Sequence, residues 1–437
     1  MGIEISTEII TLLLFGGLLL LLALGIPVTF ALGTITIVLT YFIEGSDALY
    51  TVATTTYSQI TSPTLMTIPL FLIMGNFLVK SGISEQMYNG LNYWLSGVRG
   101  GLAIVSIGVC VSLAMCGGFG PGILTMGLVA VPAMLKHGYS KQIALGSVMA
   151  GGVLGEIIPP AIIMIIFAFI ARVSIGKLFF GGFVPGIILA FMYIGYIVFV
   201  GIVNPSALPK TKEEVTWGMR FSSLKEITLP MLLVVLVLGS IFMGIATPTE
   251  AAGVGALGSI AICAFHKKLN SEVVRESCAA TMKITGMALW ILIPATLFGV
   301  FYASVGAQDM IMEFIESLEV NRWFVLICMQ FILLIFGMFM DDYAVVTICA
   351  PIMLPIAKLL GFDVIWFSVL FILNMQMAYL TPPFGWALIM MKGVAPAGVT
   401  TKDIWRSTPP FVLIQLVMLI LVMIFPEIAT WLPSLVF

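Results

Sequence analysis

The stretch Leu154-Gly155-Glu156-Ile157-Ile158-Pro159-Pro160 decides the fold, because it has a counterpart in Gln376-Met377-Ala378-Tyr379-Leu380-Thr381-Pro382-Pro383. In both stretches a proline pair interrupts apolar sequence, and the pairs lie 223 residues apart (382 − 159 = 223). Three further matches have the same separation: Gly138 with Gly361, Pro132 with Pro355, and Arg99 with Arg322. The chain therefore consists of two copies of one unit.

Composition indicates the medium in which this unit folds. Of 437 residues, 60% are hydrophobic and 9% are charged, and the mean hydropathy is +1.16, whereas soluble domains carry about 25% charged residues. Apolar stretches at 9–24, 187–203 and 411–425 approach the roughly 20 residues that cross a bilayer. Strands of alternating polarity, which a membrane barrel needs, are absent from the sequence. We predict an all-α polytopic membrane protein.

The longest polar segment lies between the two copies. We assign residues 1–203 to a first repeat, 204–226 to a loop and 227–437 to a second repeat. The loop contains Lys210, Lys212, Arg220 and Lys225, so the positive-inside tendency predicts that it is cytoplasmic. Residues 1–8 contain no Lys or Arg, which predicts a retained first helix with its N-terminus outside. An odd number of crossings per copy then inverts the second repeat and leaves the C-terminus outside.

Inverted repeats are typical of secondary transporters, because exchanging the conformations of the two copies exchanges the side to which the site opens. Duplication without transport, as in a scaffold or a channel, remains the alternative. Broken helices favour transport, since glycine and proline clusters survive in lipid only where the freed backbone lines a cavity. Each half has two such clusters: 116–122 and 151–160 in the first, 337–342 and 381–385 in the second.

Earlier proline positions leave two interpretations open. Ser62-Pro63 and Ile293-Pro294 predict either re-entrant hairpins or simple kinks in spanning helices. Segments 85–95 and 310–318 mix charged with apolar residues, which predicts interfacial amphipathic helices that link a moving domain to a fixed one. Segments 9–42 and 227–265 would belong to the fixed scaffold.

Five motifs, in order along nearly the whole chain, carry a resemblance to a known family. They are Ile68-Pro69-Leu70-Phe71 with Gly75; Gly151-Gly152 with Gly155 and Ile158-Pro159-Pro160; Gly244-Ile245 with Thr247-Pro248-Thr249-Glu250-Ala251-Ala252; Gly337 with Phe339-Met340-Asp341, Ala344, Pro351 and Pro355; and Thr381-Pro382-Pro383 with Gly385. Together they resemble the large membrane subunit of tripartite ATP-independent periplasmic (TRAP) transporters, in the ion transporter superfamily.

The resemblance implies an importer of the bacterial inner membrane that is driven by Na⁺ and works by an elevator mechanism. It also implies three partners: a small four-helix membrane subunit, a periplasmic substrate-binding protein and a small organic anion such as a carboxylate, sugar acid or sulfonate. This chain departs from the family where Ser-Gly-Ser-Ser followed by Ala-Asp is usual, since it has Cys116-Gly117-Gly118-Phe119-Gly120-Pro121-Gly122. Glu156 also stands where an apolar residue is usual, and Ala161 replaces a common serine.

We predict that Na⁺ and the anion bind at the breaks, because free carbonyls suit a cation and free amides suit an anion. The predicted Na⁺-binding residues are Ser62, Thr64, Gly117, Gly118, Gly155, Gly337, Met340, Asp341, Thr381, Pro382 and Gly385. The predicted substrate-binding residues are Gly120, Gly122, Gly152, Pro159, Pro160, Asn374 and Pro383.

Several polar side chains have a structural alternative to a functional role. Asp341 and Asp342 lie in an apolar stretch, where a charge by default marks function, but Asp341 also suits the N-cap of a helix that starts near Tyr343. Glu250 is predicted to close a capping box with Thr247, and the sequence identifies no partner for Glu156.

Other chemistry is poorly supported. His137 and His266 are not paired with carboxylates at metal-ligand spacing, so no transition metal is predicted. The glycine-rich stretch 101–122 lacks a Walker lysine, so ATP is not indicated. No cofactor other than Na⁺ and no enzymatic activity is expected. A stand-alone Na⁺-coupled carrier that needs no binding protein, and a channel, remain alternatives to the tripartite importer.

Overall fold

The fold described here is that of a computed structural model, which describes residues 6–117, 119–210, 215–317 and 319–436 and leaves the side chains of 114–119 undescribed. Gly118 and Lys212 thus lie outside the described residues. The described residues form helices without a strand. Their bounds are α1 Thr7–Ala23, α2 Val28–Leu39, α3 Leu49–Ile60, α4 Thr67–Lys80, α5 Ile83–Leu95, α6 Gly101–Gly117, α7 Phe119–Lys136, α8 Lys141–Leu154, α9 Ile162–Ala171, α10 Ile175–Val203, α11 Trp217–Phe242, α12 Pro248–Phe265, α13 Ser271–Ser304, α14 Ala307–Ser317, α15 Arg322–Phe339, α16 Asp342–Leu359, α17 Val364–Tyr379, α18 Trp386–Val394, α19 Thr401–Ser407, α20 Pro409–Ile424 and α21 Glu427–Val436.

This architecture confirms the predicted helical membrane protein. Within the described ranges, eight helical segments are long and apolar enough to span a bilayer. The repeat also holds at the level of helix ends: Ser140 caps α8 by accepting from Ile143 N at 3.4 Å, and Asp363 caps α17 by accepting from Trp366 N at 2.8 Å. These two caps are 223 residues apart, so the same local chemistry starts the same helix in both halves.

Each half has a helical hairpin at its first glycine cluster. Helices α6 and α7 pack along each other, with α6 ending at Gly117 and α7 beginning at Phe119, and α15 and α16 are joined at Met340-Asp341. The first hairpin is tight, because a Cβ on Gly122 would lie 3.0 Å from the Cys110 carbonyl oxygen. The described residues of the clusters 116–122 and 337–342 therefore lie where the two helices of each hairpin end and begin, whereas 155–161 and 380–385 are unwound segments between two helices.

The proline positions left open by the sequence are not hairpins. Pro294 lies inside the continuous helix α13, so the kink interpretation holds there. In the first half, α3 ends at Ile60 and Pro63 opens a 3₁₀ turn that leads into α4. Helix α3 lies beside residues 295–304 of α13, while Asn76 of α4 donates to Thr281 of α13 at 3.0 Å. The interrupted segment therefore runs along α13 instead of folding back.

The helices form two groups. We call α1–α4 with α11–α13 the scaffold group, and α6–α10 with α15–α21 the break group. The groups meet where α4 contacts α6 and α9, and where α13 contacts α16. Helices α5 and α14 lie between the groups, since α5 packs on α11 and α6 and α14 packs on α1, α13 and α16. The two predicted linking segments are thus helical.

The connection between the repeats is shorter than the sequence suggested. Helix α11 begins at Trp217, inside the predicted loop 204–226, because Thr216 accepts a hydrogen bond from Met219 N and the residues that follow continue into an apolar helix. We call the end of the bundle that holds this connection the connector end. Ser140 N donates to the Ala207 carbonyl at 2.9 Å, so α8 also starts there. Helix α10, 29 residues long, spans about 43 Å to the opposite end, near Arg172.

Candidate functional site

Each unwound segment lies beside the hairpin of the other repeat. Helix α9, which follows the first unwound segment, packs on α16 of the second hairpin. Helix α18, which follows the second unwound segment, packs on α7 of the first hairpin. A Cβ on Gly120, near the first tip, would lie 3.2 Å from Cε of Met390. The breaks of the two halves are therefore assembled across the repeats.

The first unwound segment leaves backbone groups free at both helix ends. The described hydrogen bonds join the amides of residues 155–158 to carbonyls of 152–154, and Ile165 N to the Ala161 carbonyl. Among described donors, none reaches the carbonyls of residues 155–160. The residues of this segment are buried, and buried carbonyls need partners. The segment thus presents carbonyl oxygens to a ligand near the predicted residues Gly155, Pro159 and Pro160.

The second unwound segment has more internal hydrogen bonds than the first. Thr381 donates from Oγ1 to the Met377 carbonyl at 2.7 Å, and Gly385 N donates to the Thr381 carbonyl at 3.2 Å. The Pro159-Pro160 and Pro382-Pro383 bonds are both cis. The hydroxyl of Thr381 donates its hydrogen to the backbone, and its oxygen lone pairs stay able to coordinate a cation, beside the carbonyl oxygens near Pro382 and Pro383.

An acidic cluster joins the first unwound segment to the second hairpin tip. Glu156 and Asp342 interact electrostatically, and Tyr343 and Tyr379 interact with both carboxyl groups. Only 2% of Glu156 and 8% of Asp342 is exposed. Both oxygens of Glu156 are buried without a hydrogen-bond partner. The sequence interpretation missed this arrangement, because Glu156 and Asp342 belong to different repeats, are brought together by packing of α9 on α16, and share no local sequence signal.

The tip residue Asp341 has the capping role that its sequence position suggested. Its Oδ1 accepts from Ala344 N at 2.7 Å at the start of α16. The Tyr343 amide also hydrogen-bonds this carboxylate. A carboxylate has about four lone-pair sites, so capping and ion binding are compatible. The predicted capping box is also confirmed, because Glu250 N donates to Thr247 Oγ1 at 3.3 Å and Thr247 N donates to Glu250 Oε2 at 2.8 Å.

Some predicted site glycines lie at close helix contacts. A Cβ on Gly152 would collide with Ile123, and one on Gly337 would lie 2.6 Å from the Cβ of Ala378. Gly122 has its contact with Cys110 within the first hairpin. Helix packing accounts for all three glycines, while Gly337 also lies one turn before the acidic tip. Their ion and substrate roles stay predictions, as do those of Gly117, whose backbone is the last turn of α6, and Gly118.

Asn374 lies apart from both breaks. Its Nδ2 donates to the Gln330 carbonyl at 2.8 Å and to Gln330 Oε1 at 2.7 Å, which joins α17 to α15. The pair lines an apolar groove of about 620 Å³ between α15, α17 and α20. The structure thus assigns Asn374 a helix-joining contact, and its substrate role stays a prediction.

Ser62 and Thr64 lie in the scaffold group. Their 3₁₀ turn packs on α4 and α12, and nearby Thr67 shares a 2.7 Å hydroxyl contact with Thr249. The ion role of these two residues stays a prediction.

A large polar cavity opens at the Arg172 end. It encloses about 1220 Å³ between α3, α13 and α14 on one side and α9 and α16 on the other. Arg172 and Lys358 are the charged residues among its described lining. Both charges are positive, so the cavity favours an anion. It separates the scaffold group from the break group at this end.

Comparisons with known proteins agree with this arrangement. Residues 15–428 match the family described as tripartite ATP-independent periplasmic transporter, DctM component. The chain is 31% identical over 444 residues to the C4-dicarboxylate TRAP transporter large permease protein DctM of Rhodobacter capsulatus, covering 97% of this chain and 99% of that protein. It is 32% identical over 425 residues to the sialic acid TRAP transporter permease protein SiaT of Haemophilus influenzae, covering 95% of this chain and 67% of that protein.

A solved structure has the same fold. The Alcanivorax borkumensis YdaH transporter, described as having an unusual topology, superposes with a TM-score of 0.68 at 15% identity, over 97% of this chain and 98% of that chain. At that identity the likeness concerns the fold alone.

Proposed function

Since this chain belongs to the DctM component family of tripartite ATP-independent periplasmic transporters, and is a multi-pass permease, not an enzyme, we propose that it imports a small organic anion with Na⁺ across the bacterial inner membrane. The family implies a small membrane subunit and a periplasmic binding protein as partners. Relatives named for a C4-dicarboxylate and for sialic acid support a carboxylate or sugar acid as substrate.

The observation that carries the proposal is the pairing of each unwound segment with the opposite hairpin. This pairing collects carbonyl oxygens of 155–160, the Asp341 tip and the helix start of α16 in one buried region. Carbonyl ends of broken helices coordinate Na⁺ and amide ends attract anions in secondary transporters. Na⁺ would bind to the carbonyls and Asp341, and the anion between the breaks.

The position of the cavity supports a side of the membrane from which the substrate enters. If the connector end is cytoplasmic, as its basic residues suggest, the cavity near Arg172 opens to the periplasm. An anion released by a binding protein would enter past Arg172 and Lys358. The proposed elevator motion then slides the break group along the scaffold group and opens the site at the connector end.

A disulfide between the groups tests this motion. A Cβ on Gly299 of α13 would lie 3.6 Å from the Cβ of Pro351 of α16, which matches the Cβ separation in disulfides. We expect Gly299→Cys with Pro351→Cys, in a Cys349→Ser background, to abolish uptake when oxidised and to recover it when reduced. Unimpaired uptake by the fully cross-linked protein would rule out sliding of the two groups at this contact.

The scaffold group offers a matched control. A Cβ on Gly33 of α2 would lie 3.5 Å from the Cβ of Pro294 of α13, and both helices belong to the same group. A cross-link between cysteines at these positions should leave uptake unchanged by oxidation, since no motion between α2 and α13 is proposed.

Reconstituted uptake tests the function itself. Proteoliposomes that contain this chain, its small subunit and the binding protein would receive labelled succinate, sialic acid or a sulfonate, under an inward Na⁺ gradient or with K⁺ in place of Na⁺. We expect saturable uptake of one anion that requires Na⁺ and both partners. Uptake by the chain alone would favour the stand-alone carrier, and flux without saturation would favour a channel. Equal uptake in K⁺ would refute Na⁺ coupling.

A further inference from the structure

We propose that Glu156, together with Asp342, binds the coupling Na⁺, so that the ion site spans both repeats. The inference deepens the proposed function and rests on it. It adds a ligand from the unwound segment of the first repeat to a site whose other carboxylates lie on the second hairpin. Neither Glu156 nor Asp342 was among the sequence-predicted ion ligands.

The first step is the isolation of Glu156. Its side chain is 2% exposed, and neither carboxylate oxygen accepts a hydrogen bond. An ionised carboxyl group buried without a partner costs several kcal/mol. Such a carboxyl group avoids this cost either by holding a proton or by binding a cation. In a Na⁺-coupled carrier a cation is available to supply the missing charge.

The second step concerns the groups that interact electrostatically with Glu156. They are Asp342 and Tyr343 at the start of α16 and Tyr379 at the end of α17, with Asp341 next to them. No lysine or arginine is among the groups that these described interactions involve. The region is therefore acidic without an internal counter-charge. Tyr379 is also the repeat equivalent of Glu156 (379 − 156 = 223), so the two equivalents meet near the pseudo-symmetry axis.

The third step is the choice of cation. No group of three or more His, Cys, Asp or Glu side chains in the described part of the chain is placed to hold a metal ion. Two carboxylates from Glu156 and Asp342, with the carbonyls of residues 155–160 that no described donor reaches, form an all-oxygen set of low charge. This donor set fits Na⁺, which transporters bind through carbonyls of unwound helices, better than it fits a transition metal.

Binding can be measured without transport. The purified full chain in detergent is titrated with NaCl at constant ionic strength against choline chloride, and the apparent Tm is followed. We expect Na⁺ to stabilise the wild type and K⁺ to have no comparable effect, because a ligand that binds only the folded state raises its stability. Glu156→Gln should move the Na⁺ midpoint upward by about tenfold or more, equivalent to about 1.4 kcal/mol, and should not lower the Tm measured without Na⁺.

The matched control is Glu276→Gln, because Glu276 is an exposed carboxylate that pairs with Lys80 at 3.3 Å far from the breaks. It should keep the wild-type Na⁺ midpoint. If Glu156→Gln does not fold, ²²Na⁺ binding to the Asp342→Asn variant tests the same site and should be reduced by the same factor.

The outcomes distinguish the proposal that Glu156 and Asp342 bind Na⁺ from the proposal that transport is coupled to Na⁺. Na⁺ stabilisation of the wild type that is unchanged in both Glu156→Gln and Asp342→Asn would overturn this inference and leave Na⁺ coupling intact. No Na⁺ stabilisation of the wild type would overturn both. A wild-type Tm that depends on pH but not on Na⁺, and that loses this dependence in Glu156→Gln, would identify a proton as the ligand and would also overturn the assignment to Na⁺.

Discussion

The crossing of α6 with α8 and the crossing of α15 with α17 are the same place in the two repeats, yet they are held differently. In the first, a Cβ on Gly151 would lie 2.8 Å from the Cα of Ile107, so the helices touch backbone to backbone. In the second, Asn374 donates two hydrogen bonds to Gln330. Both pairs are related by 223 residues (374 − 151 and 330 − 107). The repeat conserves the geometry of the crossing while its chemistry changes.

This difference extends to the hairpin tips. The first tip, residues 117–119, lacks a carboxylate in its sequence, whereas the second has Asp341 as a cap and Asp342 in electrostatic interaction with Glu156. The first half thus contributes close packing and free carbonyls, and the second contributes most of the charge. In the proposed ion site, the two copies would therefore contribute different groups.

Placing a side chain in the close contact between α6 and α8 should have the largest effect on the free energy of unfolding. Gly151→Ala places a methyl group against the Ile107 backbone, which cannot move aside as a side chain could. We expect a loss of about 3 kcal/mol, seen as a lower apparent Tm in detergent. Gly108→Ala on α6 is the control, since nothing lies within 4 Å of its Cβ; it should be neutral or slightly stabilising. Equal losses in both variants would contradict the close-packing account.

Removing the hydrogen bonds between α15 and α17 should lower the free energy of unfolding by less. Asn374→Leu leaves the buried Gln330 amide without its partner, so we expect a loss of about 2 kcal/mol. Adding Gln330→Ile, the residue found at the equivalent position, should recover much of that loss. A double-mutant cycle in thermal unfolding measures the coupling, and purely additive effects would show that the pair is not a unit.

Substitutions of Asp341 separate capping from ion binding at the second tip. Asp341→Ala removes the cap and should cost about 1 kcal/mol. Asp341→Asn keeps a good cap, so its apparent Tm in the absence of Na⁺ should remain near the wild-type value while Na⁺-dependent uptake weakens. Unchanged uptake across a Na⁺ titration of Asp341→Asn would leave capping as the sole role of this residue.

The smallest effect is expected where the two halves meet at the connector end. Lys141 at the start of α8 donates to Asp403 at 3.0 Å and to the Gly398 carbonyl at 2.7 Å. The ion pair is solvent-exposed in part, and such pairs contribute about 0.5 kcal/mol. Lys141→Gln should therefore lower the apparent Tm only slightly, and the difference should shrink at high salt. A large, salt-independent loss would indicate a structural role beyond the ion pair.

Local signals in the sequence predicted much of the fold. The 223-residue offset placed α8 and α17 and their unwound ends, and the Thr247 and Asp341 caps were readable because capping depends on neighbours in the chain. The proline at 294 was ambiguous, because a kink and a re-entrant turn share the same local sequence and differ in what packs beside them. The partner of Glu156 was unreadable for the same reason: Asp342 is brought to it only by packing of α9 on α16 across the repeats.

The predicted site residues also differ in whether local sequence determines their surroundings. Gly155 and Asp341 lie in the acidic and carbonyl-rich region that the structure assembles, since their positions beside breaks are a local property. Ser62 and Thr64 lie in a turn that packs on α4 and α12, and Asn374 joins α17 to α15, because a hydroxyl or an amide in apolar sequence serves helix contacts as readily as it serves ligands. Their ion and substrate roles stay predictions.

The connection between the repeats has a mechanical consequence. Ala207 is fastened by its carbonyl to Ser140 of the break group, while Trp217 already belongs to α11 of the scaffold group. The intervening chain is thus a tether between the two groups, and the ten peptide units from 207 to 217 reach at most about 36 Å when fully extended. In the proposed elevator, this connection limits how far Ala207 of the break group can move from Trp217 of the scaffold group. Uptake by variants with the connection shortened one residue at a time would therefore report the distance that the break group travels.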